Sequence, residues 1–239
     1  MADFLDGILD RFAWASAEFS RRLRLVESRH WELSTPCPDW TVRLLVNHVT
    51  RGNLNYVRLA RGGSAEEFLR MRDADALGTD PFGAYARSVR VCLDAFGQPG
   101  AVRRSLDYPL GRIEAGQALA VRTTDTVIHT WDLAQAVKLG RQLDPELVGW
   151  IGENIEAIYA GLPETPVSAE TTHRFFAEPG EPADADASPQ DRLLGLMGRT
   201  PEVDPRRAGR GCRAWPLRSA SVVPHRAKPG AAGKRDVTG

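Results

Sequence analysis

The stretch Asp125-Thr126-Val127-Ile128-His129-Thr130-Trp131-Asp132-Leu133 decides how this chain is read. It lies inside a longer helical pattern from Glu114 to Val137. Along that pattern Ala118, Val121, Asp125, Ile128, His129, Asp132 and Leu133 recur at helical spacing and share one face. Asp125 and His129 stand one turn apart, so both side chains leave the same wall. Working outward, Asn47-His48 falls in an earlier helical pattern, Trp40 to Arg61, beside an inward stripe of Leu45, Val46, Val49 and Tyr56. Two imidazoles and one carboxylate on the inner faces of a bundle can form an open metal site with three protein ligands. Spacing alone leaves other readings standing. A histidine on an apolar face is commonly a hydrogen-bonded core residue, and Asp125 can simply pair with Arg122 or His129. Asp132 reads either as a group that orients a ligand histidine or as a capping carboxylate at the surface.

The rest of the chain reads as helices joined by turns. A first helix is expected from Asp3 to Val26, where Phe4, Leu5, Ile8, Leu9, Phe12, Ala15 and Phe19 keep a helical period. The connector Ser34-Thr35-Pro36-Cys37-Pro38-Asp39-Trp40 interrupts it, with Asp39 as a candidate N-cap for the second helix and Gly62-Gly63 as its stop. A short helix over Ala65–Met71 and a longer one over Pro81–Phe96 follow. The segment from Ala101 to Leu110 reads as irregular or as a short strand pair near Tyr108-Pro109-Leu110-Gly111. After the pattern that Gly140 ends come an amphipathic helix from Leu143 to Ala160, a surface loop from Gly161 to Ser188, and a short helix from Gln190 to Met197. Four long helices with little strand predict an all-α bundle.

The formal net charge of zero conceals two kinds of polypeptide. Pro205 to Gly239 holds nine Lys/Arg against the single acid Asp236, a net +8, which leaves −8 on the rest. That last segment has no hydrophobic period and reads as a disordered basic tail (205–239) after one domain (1–204). Only Trp215 interleaves with its charges, so a nucleic-acid stacking surface is not expected. Cys37, Cys92 and Cys212 are widely spaced and odd in number, which argues against a disulfide framework or a thiolate zinc cluster. Cys37, between two prolines, reads as a buried inert thiol. No run reaches the length of a membrane span and the N-terminus lacks a signal-peptide pattern, so the expected location is cytoplasmic. His30, His173 and Glu114 are expected to be exposed bystanders.

Thr35-Pro36-Cys37-Pro38-Asp39-Trp40-Thr41-Val42, followed by Leu45 and Asn47-His48, resembles the first signature of the DinB-like superfamily. Within it the chain is similar to the branch of the metal-binding domain of mycothiol-dependent maleylpyruvate isomerase. Asp125-Thr126-Val127-Ile128-His129-Thr130-Trp131-Asp132-Leu133-Ala134 resembles that branch's second signature, and Asp191-Arg192-Leu193-Leu194 with Gly198-Arg199-Thr200-Pro201 resembles its usual close. The resemblance implies a DinB-like four-helix bundle. It implies a divalent ion, usually zinc, held by His48, Asp125 and His129. It further implies a low-molecular-weight thiol such as mycothiol as cosubstrate and a small electrophile as substrate, hence a thiol-dependent transferase or isomerase.

Two departures bear on the reaction. The isomerase has glutamate where this chain has Asp125, and it carries a second, C-terminal domain where this chain has the basic tail, so maleylpyruvate itself is not the expected substrate. Two other readings remain: a metal-binding protein without turnover, and a non-haem iron enzyme, since two histidines and a carboxylate also suit iron.

Overall fold

The structure is a computed structural model, and it describes residues 4–37, 39–162 and 187–200. Helices dominate: α1 (Ile8–Leu23), α2 (Val42–Ala60), α3 (Ala65–Met71), α4 (Pro81–Phe96), α5 (Ala115–Ala136), α6 (Pro145–Ile158) and α7 (Pro189–Leu196). Among the described residues one hairpin interrupts them, β1 (Ser105–Tyr108) pairing antiparallel with β2 (Gly111–Glu114) in a register from Ser105 opposite Glu114 to Tyr108 opposite Gly111. The expected all-α bundle is what forms. α1, α2, α4 and α5 are its four long members, α5 packing on α1 and α2 while α4 packs on α2 and α1. α6 lies against α5 and carries α7. The expected tail from Pro205, the boundary at Asp204 and most of the loop after Gly161 fall outside the described residues.

Local chemistry sets the boundaries. α1 begins at Ile8, later than its hydrophobic period suggests, because Gly7 takes a left-handed φ of 70° that interrupts the helix. α2 is capped by Thr41, whose hydroxyl accepts the Leu44 amide at 3.3 Å, and not by Asp39. Asp39 instead occupies the left-handed region at φ 52°, spending itself on the turn. α3 starts with a capping box in which Ser64 and Glu67 satisfy each other's backbone amides. α5 ends at Ala136, four residues before the expected stop at Gly140: Lys138 adopts the left-handed conformation at φ 58°, and the Leu139 amide returns to the Ala134 carbonyl.

α5 differs most from its sequence pattern. A one-faced helix was expected, but nearly every residue from Ala115 to Ala134 is buried, because α1, α2, α6 and the hairpin surround it. Its threonines are satisfied within the helix. Thr123, Thr124, Thr126 and Thr130 each donate a hydroxyl hydrogen bond to the carbonyl four residues back, at 2.7–3.1 Å. On one side Phe12, Leu119, Ile128, Trp131, Ile151, Tyr159 and Leu194 form the larger core; on the other, Phe19, Val42, Leu45, Val49, Tyr85 and Leu133 form a second. Each such side chain contributes about 1.5–3 kcal/mol by leaving water. α5 thereby sits between the two cores.

Candidate metal centre

The connector before α2 supplies one wall. Thr35 and Trp40 close it: the Thr35 amide donates to the Trp40 carbonyl at 3.0 Å, and the Thr35 hydroxyl accepts the Cys37 amide at 3.1 Å. This fold-back turns Cys37 inward and lays the Trp40 indole against two imidazoles. Its ring lies 4.7 Å from that of His48 and 5.7 Å from that of His129, centroid to centroid. The two histidine rings stand edge-on to each other at 5.0 Å.

The three residues singled out by spacing are brought together. His48 reaches in from α2, and Asp125 and His129 descend from one face of α5. The Nε2 atoms of His48 and His129 lie 3.5 and 3.4 Å from the same oxygen, Asp125 Oδ1. One donor atom from each residue falls within 4.8 Å of the others. Bonds of about 2.1 Å in a tetrahedral arrangement set donors roughly 3.4 Å apart, so both histidine-to-carboxylate separations fit a small divalent ion. The His48 side chain is 30 % exposed, which leaves the group open on that side. The other oxygen of Asp125 faces Arg122, whose Nη2 stands 3.0 Å away as an ion pair lacking hydrogen-bond geometry. The pairing of Asp125 with Arg122 and His129 that spacing left open is therefore also present, on the same carboxylate.

Behind His129 a second layer fixes the ring. Its Nδ1 meets Asp132 Oδ2 at 2.9 Å, so the carboxylate accepts Nδ1–H and turns Nε2 toward Asp125. Asp132 is fully buried, as a ligand-orienting partner would be and a surface carboxylate would not. Arg199, beyond α7, grips it from the far side: Nε donates to Oδ1 at 3.0 Å and Nη2 to Oδ2 at 2.7 Å. The Cys37 sulfur completes this layer, 3.4 Å from Arg199 Nη2 and 3.5 Å from Asp132 Oδ2. Cys37, His129 and Asp132 also place donor atoms within 4.8 Å of one another. The Arg199 guanidinium, however, already supplies positive charge to that trio.

Electrostatics follow the contacts. Burial opposes charge on His129, but Asp125 and then Asp132 outweigh it and raise its pKa to about 9. Burial dominates at His48 and lowers its pKa, against the pull of Asp125. For Asp125 burial would raise the pKa, yet Arg122, His129 and His48 together hold it well below the usual carboxylate range. Asp132 likewise resists the upward push of burial, because Arg199 and His129 bring it down to about 2. Both carboxylates therefore remain anionic at neutral pH, the form a metal ligand and its supporting group require.

The bystanders fall as follows. His30 is half-buried, not exposed, because its ring accepts the Glu27 amide at 3.0 Å as part of a capping box. Glu114 pairs with Arg103 at the end of the hairpin, away from the centre, and His173 lies outside the described residues. Cys37 is buried as expected, but it belongs to the layer behind the site. Sequence patterning missed the roles of Arg199 and Trp40, and it offered Arg122 only as a surface partner of Asp125. Arg199 follows a short helix and Gly198, where an inward turn of an arginine has no periodic signal; the Trp40 of the connector motif was legible only as a motif.

Comparison with known proteins bears on the family and the fold. Residues 12–134 match the family described as the mycothiol maleylpyruvate isomerase N-terminal domain. An uncharacterized protein of Mycobacterium tuberculosis, matched in two strains, is 30% identical over 166 residues, which cover 70% of this chain and 83% of that protein. The crystal structure of the mycothiol-dependent maleylpyruvate isomerase shares the fold with a TM-score of 0.51 at 18% identity, over 65% of this chain and 72% of that one. A point mutant of the same enzyme matches at 17% identity with the same TM-score and coverage. Among the described residues no helix is long and apolar enough to cross a membrane. His48, Asp125, His129 and the supporting Asp132 all lie inside the matched segment, and the chain belongs to the mycothiol maleylpyruvate isomerase N-terminal domain family.

Proposed function

We propose that His48, Asp125 and His129 hold a divalent ion, zinc by donor set, and that the chain is a mycothiol-dependent transferase or isomerase acting on a small electrophile. One observation carries the metal reading: two imidazole Nε2 atoms converge on one oxygen of Asp125 at ligand-to-ligand distances, with the Nδ1 of one of them engaged by a buried carboxylate. Two imidazoles and one carboxylate make a donor set that zinc favours and that leaves a position for a further ligand; the ion would take the place of the proton that Asp125 and Asp132 hold on His129 at neutral pH. When bound, the ion would favour ionisation of a thiol, giving a nucleophile at neutral pH. The residues themselves do the positioning. Asp125 brings one negative charge, His129 presents Nε2 in a fixed orientation, and Trp40 screens the two rings from water on one side. His48, at the open side, borders the place a thiol would enter. The thiol and the reaction class rest on the family: the solved relative is a mycothiol-dependent isomerase.

Elemental analysis of untagged protein is expected to find about one divalent ion per chain, zinc in preference to iron. His48→Ala and His129→Ala are each expected to lose it; full retention in both variants would remove the site. Incubation of the loaded protein with mycothiol and a panel of electrophiles is expected to consume thiol faster than the metal-free protein does. Equal rates would leave a metal-binding protein without turnover, and the ion a structural or regulatory one.

A further inference from the structure

We propose that Arg199 is a positioning residue of the metal centre, holding His129 in register through Asp132, so that the turn after α7 completes a site whose ligands all come from α2 and α5. The inference rests on the metal reading of His48, Asp125 and His129, and it assigns a role to a residue outside the segment that matches the family, which ends at residue 134.

Four observations support it. Arg199 is buried, and its guanidinium spans both oxygens of Asp132 in the two-pronged geometry that fixes a carboxylate plane as well as its position. The oxygen it grips at 2.7 Å is the one that faces His129 Nδ1 at 2.9 Å, so rotation of the carboxylate would break both contacts together. The approach is built into the backbone. Gly198 takes a left-handed φ of 69°, and the Arg199 amide returns to the Leu194 carbonyl at 2.8 Å, which ends α7 and turns the next side chain inward. Leu193, Leu194 and Met197 are buried in the larger core and anchor that turn. The Arg199 Nη1 group further donates to the Met197 carbonyl at 2.7 Å, and its Nη2 lies 3.4 Å from the Cys37 sulfur, so the guanidinium joins the C-terminal turn, the connector and α5 at one point. A fully buried carboxylate deprived of this partner would keep its charge uncompensated on that side and shift toward other donors or water. His129 would then lose the group that orients it.

The test uses the full chain and zinc alone, with affinity read by competition against a chromophoric chelator and folding checked by circular dichroism. Arg199→Met is expected to weaken zinc binding by about 10- to 100-fold, the usual cost of losing an outer partner of a metal ligand, and Asp132→Asn by a similar factor. Because Arg199 acts through Asp132, the double variant Asp132→Asn/Arg199→Met is expected to bind zinc no more weakly than Asp132→Asn alone. It also removes both buried charges at once, a replacement that proteins often tolerate. Folded Arg199→Met with unchanged zinc affinity would overturn the proposal, as would a double variant weakened by the product of the single effects. If Arg199→Met does not fold, the comparison of Asp132→Asn with the double variant decides: equal affinity supports the role and a further loss overturns it. A wild-type chain that takes up no zinc would remove the metal reading itself, an outcome distinct from zinc binding that is indifferent to Arg199.

Discussion

Gly52 shows how one missing side chain can shape a charged site. It faces Arg122 across the α2–α5 contact, and an added Cβ would stand 2.1 Å from Arg122 Nη1 and 2.8 Å from its Cζ. Buried Arg122 therefore depends on Gly52 for the space in which it pairs with Asp125. An alanine normally favours a helix over glycine by about 1 kcal/mol. Here Gly52→Ala is expected to lower stability instead, by about 2–4 kcal/mol, because it displaces one half of a buried ion pair. Urea denaturation checks the sign; a midpoint at or above wild type would mean that α2 and α5 separate without penalty. The sequence exposed the site unevenly at this scale. His48, Asp125 and His129 were legible because two helical periods and two motifs point at them. Arg122 carried no such signal: an arginine one turn before an aspartate reads as a surface pair, and only the burial of α5 from all sides turns it into a buried counter-ion.

Neighbours on one helix can have unrelated duties, as Asn47 and His48 do. His48 faces α5, whereas Asn47 faces the chain between α3 and α4. Its Oδ1 accepts the Ala76 amide at 2.7 Å and its Nδ2 donates to the Ala74 carbonyl at 3.4 Å. Arg51, one turn on, donates to the carbonyls of Ala74 and Asp75 at 2.9 and 2.7 Å. This segment has no regular structure of its own, so side chains of α2 satisfy its backbone. Asn47→Ala is expected to accelerate hydrogen exchange at the Ala76 amide while zinc uptake stays at the wild-type level, measured by exchange mass spectrometry and metal analysis on the same sample. Loss of zinc would mean that the Asn-His pair acts as a unit. The bounds of α3 and α4 form as read, Ala65–Met71 and Pro81–Phe96, where Ser64 with Glu67 and Asp80 cap the two helices. Other bounds shifted where a non-glycine residue took the left-handed conformation, at Asp39 and Lys138, because steric permissiveness singles out glycine and these positions are held by the surrounding chain.

Over the whole molecule the four tyrosines form a common reporter. Tyr56, Tyr85, Tyr108 and Tyr159 are the only tyrosines in the chain, and all four are buried. Burial is the largest influence on each, and it raises every phenol above its ordinary value; Tyr56 and Tyr108 also share a hydrogen bond at 3.0 Å. Buried Cys92 is pushed up to about 12 in the same way. Groups whose pKa is raised by folding stabilise the native state fully below their unfolded values, about 10 for tyrosine. That contribution is lost as pH rises toward the folded values. Tyrosinate absorbance is therefore expected to stay absent until the helices melt at alkaline pH, and then to rise with the loss of helical circular dichroism in one transition. Tyrosinate appearing on a still-helical protein would contradict this packing. The bundle was legible as a whole because amphipathic periods and turn residues agree over most of the chain. The hidden part was long-range closure, such as Arg199 reaching α5, which no local pattern encodes. α5 itself carries a last consequence. Its threonine hydroxyls are turned back on its own carbonyls and its outer surface is buried nearly all round, so this helix takes its stability from its neighbours. Synthesised alone, a peptide of residues 115–136 would stay largely unfolded in water and would gain helicity only when a nonpolar solvent stood in for the missing bundle.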